Sequence, residues 1–232
     1  MRSLLFCLVA AVLLSVPAGV CKAGPVTVTF EGPLDYVSSV LAGRFSLGDL
    51  MQVSITYESS WPDGNSNSYS GFYECIQSFS VFVDSTDDYT ATATDGWWTI
   101  NNDFPPPPDT SYADQVFAYV NSSGTTTGGT LDGPDVEGLP LWMFSLQLED
   151  SSMTALSSDA LPLSFDPGAF DNDQIKLYWR DGTVNRWISA SNLTSTSYVV
   201  PAPGAALLGV LGLLCLRAGG FGNKKMFERY FG

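Results

Sequence analysis

Gln52-Val53-Ser54-Ile55-Thr56-Tyr57 and Val26-Thr27-Val28-Thr29-Phe30 alternate apolar and polar side chains at every step. A period of two places Val53, Ile55 and Tyr57 on one face of an extended chain and their amide and hydroxyl neighbours on the other, the pattern of a strand half-buried in a sheet. Outward from these two segments, runs of the same kind occupy 76–83, 89–94, 97–100, 115–120, 142–148, 175–179 and 183–188. Turn signals separate them: Pro62-Asp63-Gly64-Asn65, Asp95-Gly96, Gly128-Gly129, Asp132-Gly133-Pro134 and Asp181-Gly182. The best-defined hairpin spans 175–188, where Asp181-Gly182 suits a two-residue primed turn between alternating runs. No stretch of the core has helical spacing. About nine short strands predict an all-β fold, an antiparallel two-sheet sandwich of jelly-roll-like form, with a barrel as the weaker alternative. Two long loops are expected, 101–110 with four prolines at 105–108, and 121–138, rich in Ser, Thr and Gly.

Both ends have a different composition from this core. Met1 and Arg2 precede an apolar run over 4–16, broken by Pro17, and small residues lead to Cys21-Lys22-Ala23. Thirteen apolar residues are few for a membrane span, so 1–23 is read as a secretory signal cleaved after Ala23. Val20 occupies the place where a lipoprotein signal ending at Cys21 wants a small residue. At the other end, 205–216 carries no charge and is followed by Arg217, Lys224, Lys225 and Arg229. An apolar helix with cations beyond it predicts a membrane anchor whose C-terminal side faces the cytoplasm. The expected organisation is a signal at 1–23, an extracytoplasmic β domain at 24–197, a motif and transmembrane helix at 198–217, and a basic tail at 218–232.

Between Gly24 and Ala202 there are 23 Asp and Glu against Arg44, Lys176, Arg180 and Arg186. So acidic a surface is a poor partner for nucleic acid, whose binding depends on cations that displace phosphate counterions. Cys75 is the one cysteine of the expected core, which therefore holds no intramolecular disulfide and must be stabilised by burial.

The junction Val200-Pro201-Ala202-Pro203, the apolar segment and Arg217 resemble the PEP-CTERM sorting family, whose members end in a Val-Pro-Glu-Pro-like motif, a hydrophobic helix and a basic cluster. Here Ala202 stands in place of the glutamate, and 218–232 is a long extension. Within the core, Phe45-Ser-Leu-Gly-Asp49 with Val53-Ser-Ile-Thr-Tyr57, and the run from Leu146-Gln-Leu-Glu-Asp150 to Leu161-Pro162, are similar to segments of ectodomains in that family. The resemblance implies export, an exosortase-type sorting enzyme as partner, and a place in the cell envelope, at the cell surface or in the extracellular matrix. It implies no catalytic residues.

Histidine is absent, which removes Ser-His-Asp and Cys-His catalysis and His-bearing zinc sites. Acid-only glycoside hydrolysis needs just two carboxylates, but Glu31, Glu58, Glu74 and Glu149 show no characteristic spacing. Calcium suits the composition better, because a hard cation takes six to eight oxygens from loops. Three clusters supply candidate ligands: Asp84, Asp87 and Asp88; Asp132, Asp135 and Glu137; and Asp171 with Asp173. Six tryptophans add a carbohydrate-binding alternative, in which Trp61 and one of the adjacent Trp97 and Trp98 stack on sugar rings of an extracellular polysaccharide. Trp142, Trp179 and Trp187 are expected in the core. The main expectation is a structural or adhesive protein, exported and non-enzymatic.

Overall fold

Alternation in the sequence becomes alternation in burial over 25–34 and 50–58. In the computed structural model, which describes residues 24–104, 113–122 and 130–199, Val26, Val28, Phe30, Val53, Ile55 and Tyr57 are all fully buried while the residues between them are not. Eleven strands form among the described residues: β1 (Pro25–Val37), β2 (Leu50–Glu58), β3 (Ser70–Tyr73), β4 (Ile76–Asp84), β5 (Tyr89–Ala93), β6 (Trp97–Phe104), β7 (Ala113–Asn121), β8 (Leu141–Asp150), β9 (Asn172–Asp181), β10 (Val184–Ser191) and β11 (Thr194–Val199). Helical structure among the described residues is limited to single 3-10 turns at Ser39–Leu41 and Pro167–Ala169. The fold is all-β, as the periodicity predicts. Of the described residues, no helix is long and apolar enough to cross a membrane. The signal segment 1–23, the Val200–Pro203 motif, the apolar segment, Arg217 and the basic tail lie outside the described residues.

All strand pairs are antiparallel and belong to one curled sheet, in the order β3-β6-β7-β8-β9-β10-β1-β2-β4-β5, with β11 beside β1. The curl is made at β1. Its first part pairs with β11, from Val26 opposite Val199 to Glu31 opposite Thr194, and its last part pairs with β10, Leu34 opposite Ala190 and Val37 opposite Ile188. Between the two parts lie Gly32 and Pro33, followed by an irregularity between Leu34 and Tyr36. A Cβ on Gly32 would stand 2.8 Å from Leu193 Cδ2 and 3.0 Å from the Ser191 carbonyl oxygen, so only glycine lets β1 and the β10–β11 connection approach this closely.

The bend lets one limb of the sheet cover the other, and aromatic side chains from both fill the space between. Phe79 on β4 meets Phe144 on β8 with ring centroids 4.5 Å apart, and Tyr57 on β2 meets Trp98 on β6 at 5.3 Å. Tyr89 on β5 meets Trp179 on β9 at 5.5 Å. This shared core also holds Cys75, whose thiol is pushed up to about 12 by burial and, after that, by Glu58.

Several boundaries depart from the sequence reading. β6 runs on to Phe104, through residues expected to start a loop, because Asn101 finds cross-strand partners. β3 and β11 were not foreseen, and β11 extends to Val199, two residues beyond 197. The 121–138 loop returns Leu131 and Val136 to the core and bridges β5 through Thr92 and Asp132. The β9–β10 hairpin is present, but Asp181 pairs with Val184, so the turn residues are Gly182 and Thr183. Trp142 and Trp187, expected in the core, are only half-buried.

Candidate functional site

The acidic clusters settle around partners already in the chain. Arg44 Nη1 donates to Asp87 Oδ2 at 3.0 Å, and its Nη2 donates to the carbonyls of Asp87 and Asp88, the latter at 2.9 Å. Arg44 also lines a hollow of about 260 Å3 with Tyr89, Asp135 and Glu137. Residues of two clusters separated in sequence thus lie near Arg44. Asp84 is exposed at the end of β4, and Asp132 exchanges backbone hydrogen bonds with Thr92 at 2.8 Å in both directions. Asp171 accepts the Ser151 N–H at 3.0 Å, whereas Asp173 accepts those of Asn192 and Leu193 at 2.8 and 2.7 Å. Each of these last two carboxylates closes its own loop. Among the described residues, no three Asp, Glu, Cys or His side chains converge on a point where an ion would sit.

The tightest carboxylate sites were missed by the sequence reading. Asp114 on β7 and Asp150 on β8 are register partners, and both are buried. Asp114 accepts the N–H of Asp103 at 2.9 Å and that of Leu156 at 2.8 Å. Asp150 accepts the N–H groups of Ser152, Thr154 and Ala155 at 2.8 to 3.0 Å, and the hydroxyls of Ser152 and Thr154 as well. Those donors, the Thr154 N–H foremost, hold the Asp150 carboxyl well below its usual range. Asp followed by Ser or Thr two and four residues later is the local signal that could have found it. The loop they shape, between β8 and β9, encloses a hollow of about 300 Å3 lined by residues such as Leu156, Pro162, Phe165 and Phe170, with Asp166 its one ionisable side chain.

The candidate stacking residues separate. Trp98 is wholly buried and lies on Phe165 at 5.1 Å with ring planes 10° apart, so its indole has no face left for a ligand; the alternation of β6 turns it inward. Trp97, its neighbour, points outward and is half-buried. Trp61 is 46% exposed in the loop after β2, away from other aromatic partners among the ring contacts of the described residues.

Around Trp97 the outer face of the β6-β7-β8-β9-β10-β1 limb carries an ordered surface. Trp97 stacks on its cross-strand partner Tyr119 at 5.5 Å and 26°, and Tyr119 stacks on Phe117 at 6.1 Å and 18°. Across the same face Tyr178 meets Trp187 at 6.2 Å, and Trp187 stacks on Tyr36 at 5.0 Å and 24°. Burial, and then the neighbouring Tyr178, raises the Tyr119 phenol above its ordinary value. Beside the first trio runs a ladder of polar side chains. Ser70 Oγ donates to Asn101 at 2.7 Å, Asn101 Nδ2 to Gln115 at 3.1 Å, Gln115 Nε2 to Glu149 at 3.2 Å, and Gln147 Nε2 to Glu149 at 3.3 Å.

No protein-family model matches the chain, and no curated protein or solved structure does.

Proposed function

We propose that this chain is an exported protein, anchored through its C-terminal apolar segment and handled by an exosortase-type sorting enzyme, with a structural or adhesive and non-enzymatic role at the cell surface or in the extracellular matrix. Its curled sheet is then a jelly-roll-like two-sheet sandwich, with β1 and the β10–β11 ribbon as the corner the limbs share. The observation that carries the reading is the pairing of Val26 with Val199. The first and last strands of the domain therefore lie side by side, so the expected signal and the expected anchor adjoin paired strands in the sequence. The two buried carboxylates, Asp114 and Asp150, accept backbone N–H groups and so serve the fold rather than acid-only hydrolysis.

Expression of the full chain in a bacterium with an outer membrane tests this. The mature N-terminus is expected at Gly24, with the domain in the membrane fraction and digested by protease added outside the inner membrane. A chain stopped after Val199 is expected in the soluble extracytoplasmic fraction. An uncleaved N-terminus with the domain protected by the inner membrane would falsify the proposal.

A further inference from the structure

We infer that the outer face of the β6-to-β1 limb is a docking surface for a neutral polysaccharide, bound by ring stacking and amide hydrogen bonds without a metal ion. The inference rests on the adhesive reading above and names what is adhered to. Three features of the face carry it.

Geometry comes first. Trp97, Tyr119 and Phe117 stand near-parallel with centroids 5.5 and 6.1 Å apart and are only half-buried, so part of the row faces solvent, whereas Trp98 on Phe165 is sealed inside the core. A sugar's C–H face matches such a partly open row of rings.

The second feature is the neighbouring row. Phe117 is register partner of Gln147, which in turn is register partner of Gln174, so amides adjoin the rings directly. Amide groups supply both donors and acceptors, the complement of a ring of hydroxyls, and the Asn101–Gln115–Glu149 ladder holds its members in place. Between the two aromatic trios the register row runs Ser145, Lys176, Ser189, with both serines buried and Ser189 Oγ donating to Asp35 at 2.8 Å.

Charge is the third. The chain's formal net charge is −14, yet the two acids of this face, Glu149 and Asp35, which accepts from Ser189 and Ser191, are matched by two bases, Lys176 and Arg180. A surface that is locally neutral on an acidic protein fits an uncharged polymer and disfavours phosphate-bearing or uronic-acid-rich ones. The face crosses six strands. At about 4.8 Å between strands that is roughly 24 Å, the span of an extended chain rather than of one sugar.

The test is affinity electrophoresis of the full chain, kept soluble in a polyoxyethylene detergent that has no sugar headgroup, through native gels containing xyloglucan, mixed-linkage glucan, galactomannan, dextran or, as the anionic comparison, alginate. Retardation by at least one neutral polymer and not by alginate is expected, unchanged by chelator. Tyr119→Ala and Gln147→Ala are each expected to weaken it by about tenfold, the loss usual for a central contact, while Trp61→Ala leaves it unchanged. Gln147→Ala is paired with Tyr119→Ala because it removes a half-buried amide and leaves the aromatic rings in place. No retardation by any neutral polymer, or retardation that neither variant alters, overturns the inference. Self-association of the wild-type chain that both variants abolish, in the absence of polysaccharide, overturns it in favour of a second copy as occupant. All of these outcomes leave export and anchoring to be judged by the fractionation above, so the two readings fail separately.

Discussion

Asp150 shows how a single carboxylate can organise a loop that no periodicity announces. Residues 151–156 form neither helix nor strand, so their backbone N–H groups need other acceptors, and Asp150 supplies them to Ser152, Thr154 and Ala155. Asparagine at this position would offer one acceptor oxygen in place of two and turn an amide N–H2 toward existing donors. Asp150→Asn is therefore expected to lower the Tm at pH 7 by about 5–10 °C. The pH dependence has a definite sign. Because the folded carboxyl titrates below its ordinary value, its stabilisation is complete above the ordinary carboxylate range, and it fades as pH falls below that range, where the unfolded chain binds a proton that the folded chain does not. The Tm difference between wild type and Asp150→Asn should thus shrink between pH 7 and pH 3; a constant difference would show that the charge of Asp150 is not what matters. At this scale the sequence is legible only in part. Trp97 and Trp98 could be assigned opposite faces by alternation, but which of them turned inward depended on the register of β6 with β3 and β7, set by distant residues.

Elements were easiest to read where one face is core and the other solvent. β2, β4, β7 and β9 alternate in burial as they alternate in sequence, and their positions follow from the sequence to within a few residues. β3 and β11 lack that signal: Ser70–Tyr73 is four residues long, and Thr194–Val199 is Ser- and Thr-rich with little to bury. Both are fixed by the strands they pair with, β6 and β1. Turns follow the same division. Gly182 was recognised as a turn residue, and it adopts a φ of 59° at the first turn position of the β9–β10 hairpin. Gly32, in contrast, sits inside a strand and has a role that appears only when β10 and β11 are folded against it. The two glycines should respond differently to alanine. At Gly182 nothing lies within 4 Å of a Cβ, so Gly182→Ala bears only the cost of an unfavourable backbone conformation, about 1 kcal/mol. At Gly32 a Cβ meets a backbone carbonyl at the corner of the sheet, and overpacking there should cost about 1–3 kcal/mol. Chemical denaturation of both variants checks the order; equal losses would mean that the corner yields more freely than the packing implies.

At the scale of the whole molecule, composition foretold an acidic all-β domain but not where its charges would be spent. The sequence offered three acidic clusters as calcium ligands; in the fold Asp87 faces Arg44, Asp171 and Asp173 accept backbone N–H groups, and Asp135 and Glu137 line a hollow that the same arginine enters. Chain distance concealed this, since Arg44 lies 43 residues from Asp87. Arg44 already supplies Asp87 with part of the neutralisation that a metal would bring, and a cation at that carboxylate would have to approach or displace a guanidinium. Net charge has a separate, long-range consequence. A domain with 23 acids against four bases repels itself, and dissolved salt of any kind weakens that repulsion over distances of about 8–10 Å near physiological ionic strength. Sodium chloride and calcium chloride at equal ionic strength should therefore raise the Tm by similar amounts, with a calcium-specific excess of no more than about 1 °C, whereas an ion bound only by the folded state would add a further rise that grows with its concentration. Thermal melts of the full chain across matched salt series, each repeated with chelator, separate the two effects. An excess of several degrees in calcium, reversed by chelator and diminished in Asp135→Asn, would restore the acidic loops as an ion site; parallel curves would make them a solubilising surface.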